Sequence, residues 1–148
     1  MIRAVPAILL VAACSVAPQA PHAPIPVRNP TTAVASQVNA DPARVQGQWV
    51  VVQSSRARPG TPVRMGNGAL QIGPYAEAFV PKGQGRFASG ETEVWVHWLD
   101  DDDRTLAMGA PGGAWFAILD RTGRPGERLN AARDILEWYG YDLTRVMK

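Results

Sequence analysis

The chain of 148 residues contains one cysteine, Cys14. A lone thiol cannot close an internal disulfide, so a disulfide framework is excluded in any compartment. Charge of one sign is missing too. The 15 Lys and Arg residues face 13 Asp and Glu, a balance that creates no field able to attract nucleic acid. No internal repeat is present, and no apolar run reaches the roughly 20 residues that a membrane-spanning helix needs. The 2 His residues have no second ligand or nucleophilic Ser at a recognisable spacing, so neither a zinc site nor a catalytic triad is supported. No cofactor or metal is expected, and an enzyme is the poorest reading of the sequence.

What is present begins at the N-terminus. Arg3 precedes a short apolar run, Ala4 to Ala13, in the pattern of a signal peptide. The small residues of "VAAC" at 11–14 suit a peptidase site, and this stretch resembles the lipobox of bacterial lipoproteins. The resemblance implies that residues 1–13 are removed, that Cys14 is acylated as the new N-terminus, and that the mature protein is held by more than one acyl chain. Ser15 stands where an inner-membrane retention signal would resemble Asp, which implies delivery to the periplasmic side of the outer membrane. An ordinary secretory signal with an incidental Cys14 is the bland alternative. Removing residues 1–13 takes away only Arg3 and leaves 14 basic residues against 13 acidic ones.

From Cys14 to Ala40 the chain carries Pro18, Pro21, Pro24, Pro26 and Pro30 with little charge and few large apolar side chains. Such composition reads as an extended tether, with His22 a solvated linker residue. The domain is expected to span 41–148, starting at "DPARVQGQW", where Asp41 caps a helical turn and Pro42 suits its first position.

Beyond Gly47 the pattern is β. Runs at 48–54, 69–72, 75–81, 85–89, 92–99, 104–110 and 114–120 are rich in aliphatic and aromatic residues and separated by Gly, Pro, Asn or Asp. In "TEVWVHWL", strict alternation places Val94, Val96 and Trp98 on an inner face and Glu93, Trp95 and His97 on an outer one. The segment "PGERLNAARDILEWYG" then reads as a helix, with Leu129, Ala132, Ile135, Leu136 and Tyr139 on one stripe and Gly140 as its stop. That stripe must cover the outside of the sheet, with Trp95 beneath it.

These residues resemble a family. "GQW" at 47–49 resembles the Gly-x-Trp signature that opens the first strand of lipocalins, and "VWVHWLDDDDRTLAMGAPGGAWFAILDR" at 94–121 resembles the last strands of their bacterial members. The resemblance implies an all-β fold: a small up-and-down antiparallel barrel of eight strands with a C-terminal helix packed outside it. It also implies that Arg121 crosses Trp49 at a closed barrel floor, with Gly47 beside them. A guanidinium over an indole is physically sound there, since the stack is attractive while the donors satisfy nearby carbonyls. The barrel is short. Only 72 steps separate Trp49 from Arg121, and the basic, turn-rich "SSRARPGTPVRMGNG" replaces the usual long first hairpin. Trp49, Trp98, Trp115 and Phe116 are available to fill so small an interior.

Other motifs reduce to turns. Four adjacent carboxylates, Asp100 to Asp103, point in different directions from a strand connection and read as a solvated turn rather than a calcium site. Asp100 is expected to fix that turn and Arg104 to pair with a neighbour. "PKGQGR" at 81–86 lacks the ending of a phosphate loop. Two functional readings follow. The first is a membrane-anchored carrier of a small hydrophobic ligand, of the fatty acid or lysolipid class, lined by Val51, Val94, Val96, Trp98, Met108, Trp115 and Ala117. The second is a binding module or scaffold with a filled core, similar to the small-barrel periplasmic protease inhibitors, which insert a flexible N-terminal segment into their partner.

Overall fold

A computed structural model describes residues 24–148. Cys14, the signal sequence and His22 lie outside the described residues. The described residues fold as nine antiparallel strands and one long helix: α1 (Pro42–Val45), β1 (Gly47–Ser54), β2 (Pro62–Gly66), β3 (Ala69–Ile72), β4 (Tyr75–Ala78), β5 (Val80–Gly83), β6 (Arg86–Ser89), β7 (Thr92–Leu99), β8 (Thr105–Gly109), β9 (Phe116–Asp120) and α2 (Arg128–Trp138). A 3-10 turn, Leu143–Arg145, follows.

The strand order is β4-β3-β2-β1-β9-β8-β7-β6-β5. Its two edges, β4 and β5, are consecutive in sequence and separated by Phe79 alone. The stretch from Tyr75 to Gly83 therefore pairs first with β3 and then with β6, which curls the sheet into a nearly closed barrel. Phe79 turns inward at the break, where its ring stacks on Phe87 at 3.9 Å and its N–H donates to the Gly68 carbonyl. As one bent strand, β4 and β5 bring the barrel to eight members, the number that the sequence implied.

One strand escapes the sequence reading. "PVRMG" forms β2, with Val63 and Met65 buried and Arg64 exposed, so the first hairpin is shortened rather than lost. The Val-Arg-Met alternation is its signal, hidden among Pro and Gly.

Two layers of apolar packing result. Inside the barrel lie Trp49, Val51, Val63, Met65, Leu70, Phe79, Phe87, Val94, Val96, Leu99, Leu106, Met108, Trp115, Ala117 and Leu119. Outside it, Ala107, Phe116 and Ile118 meet Ala132 and Leu136 of α2, with Val27, Tyr141 and Leu143. Strands β8 and β9 are buried on both faces, which is why their sequences are continuously apolar.

The expected free tether does not hold for residues 24–40. Val27 donates to the Gly113 carbonyl and accepts from Asp142, Asn29 donates to Gly140, and Gln37 donates to Val96, so this segment runs as a strap across the barrel's outer face. Val27, Arg28 and Ala40 are buried. Proline-rich composition favours an extended backbone, and here that extended backbone finds strand and loop partners. Gly113 shows how closely the strap lies, since a Cβ at this position would stand 2.7 Å from Cβ of Pro26 and its φ is +90°.

Candidate functional site

At the closed end, Trp49 is buried and donates from Nε1 to the Val45 carbonyl at 2.7 Å. The Arg121 guanidinium lies 3.7 Å from the Trp49 ring centre. Its Nε donates to the Asp103 carbonyl, Nη1 to those of Gln46 and Gln48, and Nη2 to that of Arg44. Burial lowers the Arg121 pKa and the nearby Asp103 charge opposes the shift. Gly47 has φ +103°, and a Cβ on it would stand 3.1 Å from Arg121 Nη1. Only glycine suits both demands. The floor is thus sealed by one cation that ties α1, β1, the β7–β8 turn and the end of β9 together.

The acidic turn beside it is occupied by its own chemistry. Asp100 Oδ1 accepts from the backbone N–H groups of Arg104 and Thr105, and its Oδ2 accepts from Arg128 at 2.8 Å. Burial alone would raise its pKa, but these donors prevail and hold it below the usual carboxylate range. Asp102 also pairs with Arg128, and Asp103 with Arg44. The expected Arg104 pairing is replaced by these two contacts, because α1 and α2 bring their arginines to the turn. Among the described residues no group of three or more His, Cys, Asp or Glu side chains is arranged to hold a metal ion.

The barrel interior holds one apolar cluster. Val51, Val94, Val96, Met108, Trp115 and Ala117 all belong to the inner core and none is more than 5% exposed. Trp98 does not join them. Strand β7 carries a bulge between Val96 and Trp98, so His97 and Trp98 both leave the inner face and Leu99 re-enters it opposite Leu106. A bulge shifts side-chain parity by one residue. Trp98 therefore packs outside against the α2 layer, where Trp95 was expected; Trp95 instead lies under the Arg86 guanidinium at 4.1 Å. Phe116, adjacent to the inward Trp115, also faces outward.

The open end repeats the floor's chemistry with different residues. Arg56, in the β1–β2 loop, stands 3.5 Å from the Trp115 ring centre and bridges to Glu77 Oε1 at 2.5 Å. Composition offers no signal for this pair, since Arg56 sits in a loop distant in sequence from both partners. Next to it a half-open groove of about 480 Å³ lies between the β1–β2 loop, the β3–β4 hairpin and the C-terminal tail. Ala57, Leu70, Ile72, Pro74, Tyr75 and Met147 supply apolar wall, and Arg58 lines it as well. None of the seven residues expected to line a ligand cavity borders this groove.

His97 is buried between the strap and the C-terminal segment. Its Nδ1 lies 2.7 Å from the Ala35 carbonyl, which can only accept, so Nδ1 carries the proton. Nε2 lies 2.8 Å from the Tyr141 hydroxyl, whose one proton is shared between Nε2 and the Ala110 carbonyl at 3.1 Å. Burial pushes the His97 pKa down to about 4, a hydrogen bond to Ala35 opposes this, and the Arg28 charge adds to it. Arg28 itself is buried and donates to the carbonyls of Tyr139, Pro111 and Thr32. This network fastens the strap, and none of its side chains, Arg28, His97 and Tyr141, lines the groove at the open end. Compared with known proteins, the sequence matches no family model and no curated protein.

Proposed function

We propose that the protein is a membrane-anchored, lipocalin-like barrel that holds a small hydrophobic ligand in a groove at its open end, against the inward-facing Leu70 and Ile72. The observation that carries this reading is the groove of about 480 Å³ beside Arg56 and Glu77, with its wall of Leu70, Ile72, Pro74, Tyr75 and Met147. Its size lies within the range of small-molecule sites, and a mostly apolar wall with few polar groups is the usual chemistry of such a site. Attachment through Cys14 at the periplasmic side of the outer membrane belongs to the same reading and rests on the "VAAC" sequence.

A groove that shelters only part of an acyl chain forfeits affinity in proportion, at about 0.8 kcal/mol for each methylene left in water. Titration with fatty acids of increasing length, followed by calorimetry, is expected to show affinity rising and then levelling early. Tyr75→Ala, which strips the wall of an exposed ring on the same sheet face as its strand partner Ile72, is expected to weaken uptake several-fold without unfolding the barrel. Saturation by no lipid of any length, or undiminished binding by the Tyr75→Ala variant, overturns the reading.

The apolar cluster inside the barrel favours a second reading, a scaffold or binding module that works through its surface. The protease-inhibitor form of that reading loses part of its basis, because residues 27–40 are engaged with the barrel instead of free to enter a partner's cleft.

A further inference from the structure

The antiparallel meander sorts every connection to one of two ends, and the described N-terminus and C-terminus both arrive at the open one. Val27 bonds to Gly113 in the β8–β9 loop, Met147 donates to Ser54 at the end of β1, and Arg145 reaches the carbonyls of Ile25 and Pro26. The C-terminal end of α2 lies there too, because Arg28 bonds both Tyr139 and Pro111. Four of the six large apolar side chains exposed among the described residues lie around this end: Ile25 at 77%, Tyr75 at 78%, Trp138 at 78% and Met147 at 38%. Tyr and Trp with exposed rings are the side chains that favour the boundary between lipid and water.

We propose that the open end is the face that lies on the lipid surface, with Ile25, Tyr75, Trp138 and Met147 as its interfacial contacts. The inference rests on the reading of Cys14 as the anchor. Ten residues lead from Cys14 to Pro24, about 30 Å if extended, and they join the fold at the open end. Every orientation of the domain keeps that end within this reach of the bilayer. The closed end lies a strand length of about 27 Å away, a span the tether can also cover, so the choice of face is made by the exposed apolar side chains of the open end. An acyl anchor raises the effective concentration of the nearer face at the membrane, so contacts too weak to bind alone become sufficient.

Charge carries a small positive excess here. Arg56 is paired with Glu77 and Glu137 with Arg133, leaving Arg28, Arg58, Arg145 and Lys148 against Glu91 and Asp142. Contact is carried mainly by the anchor and the apolar side chains, and an excess this small adds a modest dependence on salt and on anionic lipid without deciding it. A further consequence is that the groove opens toward the bilayer, where a hydrophobic ligand enters without crossing water.

The test uses the full acylated chain in phosphatidylcholine vesicles bearing brominated acyl chains, which quench nearby indoles. Tyr75→Trp adds a reporter at the open end and Asp101→Trp adds one at an exposed site on the closed end. The added fluorescence of Tyr75→Trp is expected to be quenched several-fold more than that of Asp101→Trp, at low and at high salt. Equal quenching, stronger quenching of Asp101→Trp, or quenching that vanishes in salt overturns the proposal. A mass without acyl chains and a chain that leaves the vesicles sink the anchor reading, and this inference with it. A chain that stays on the vesicles while Tyr75→Trp remains unquenched sinks the docking face alone.

Discussion

Nε2 of His97 and the hydroxyl of Tyr141 meet at 2.8 Å in a space walled by the strap, β7 and the C-terminal segment. The contact joins three parts of the chain that have no local reason to stay together. Because His97 is neutral in this setting, its protonation bears on whether the strap remains docked.

The native pKa of His97 is about 4 against an ordinary value of 6.5. Between these values the unfolded chain binds a proton that the native protein does not, so stability falls as pH drops from 6.5 and levels below about 4. At about 1.4 kcal/mol per pH unit the full loss is on the order of 3 kcal/mol. Urea midpoints measured from pH 8 to pH 4 are expected to follow this slope, and His97→Gln to flatten it. Asp100 and Asp120 contribute in a separate window, since hydrogen bonds hold both below their ordinary 3.8 and their stabilisation is lost only in stronger acid.

Trp49→Ala is expected to cost about 3 to 5 kcal/mol, the usual loss for deleting a buried aromatic. Arg121→Ala leaves the carbonyls of Arg44, Gln46, Gln48 and Asp103 without their donor and is expected to cost less. In a double-mutant cycle the two losses should fall short of their sum, because each variant already breaks the stack. Additive losses would show that the stack contributes nothing of its own.

Gly113→Ala and Gly60→Ala make a matched pair. Both glycines have positive φ, +90° and +88°, but a Cβ at Gly60 meets nothing within 4 Å whereas one at Gly113 meets Pro26. Each variant carries a backbone cost of about 1 kcal/mol or more. Only Gly113→Ala is expected to loosen the strap, read as faster proteolysis between Ile25 and Ala40.

Cys14→Ser is expected to release the protein from membranes into the soluble fraction. The wild-type mature chain is expected to carry the mass of its acyl groups, and a wild-type protein that is soluble and unmodified contradicts the lipoprotein reading.

Much of the fold is legible in residue patterns. Short β-rich runs between Gly and Pro, the apolar stripe from Leu129 to Tyr139, and the acidic turn at Asp100 each depend on neighbours close in sequence, where steric preference and periodicity act directly. The site is less legible. Strict alternation puts Trp98 on the wrong face because a bulge at His97 exists only in relation to the register of β8. The groove has no sequence signal, because its walls come from a loop, a hairpin and a tail that meet only in the closed barrel.

By itself, then, the sequence determined an antiparallel β domain followed by a helix, because alternation and helical spacing are local physical constraints. It also held the pairing of Trp49 with Arg121, through resemblance of the flanking motifs. Tertiary structure alone decided that six of the seven expected lining residues join one buried inner cluster, that Arg56 covers Trp115 as Arg121 covers Trp49, and that the proline-rich strap lies down on the barrel. These features depend on which distant backbone groups and rings come within bonding distance. That outcome is set by register and closure of the sheet, which no local pattern encodes.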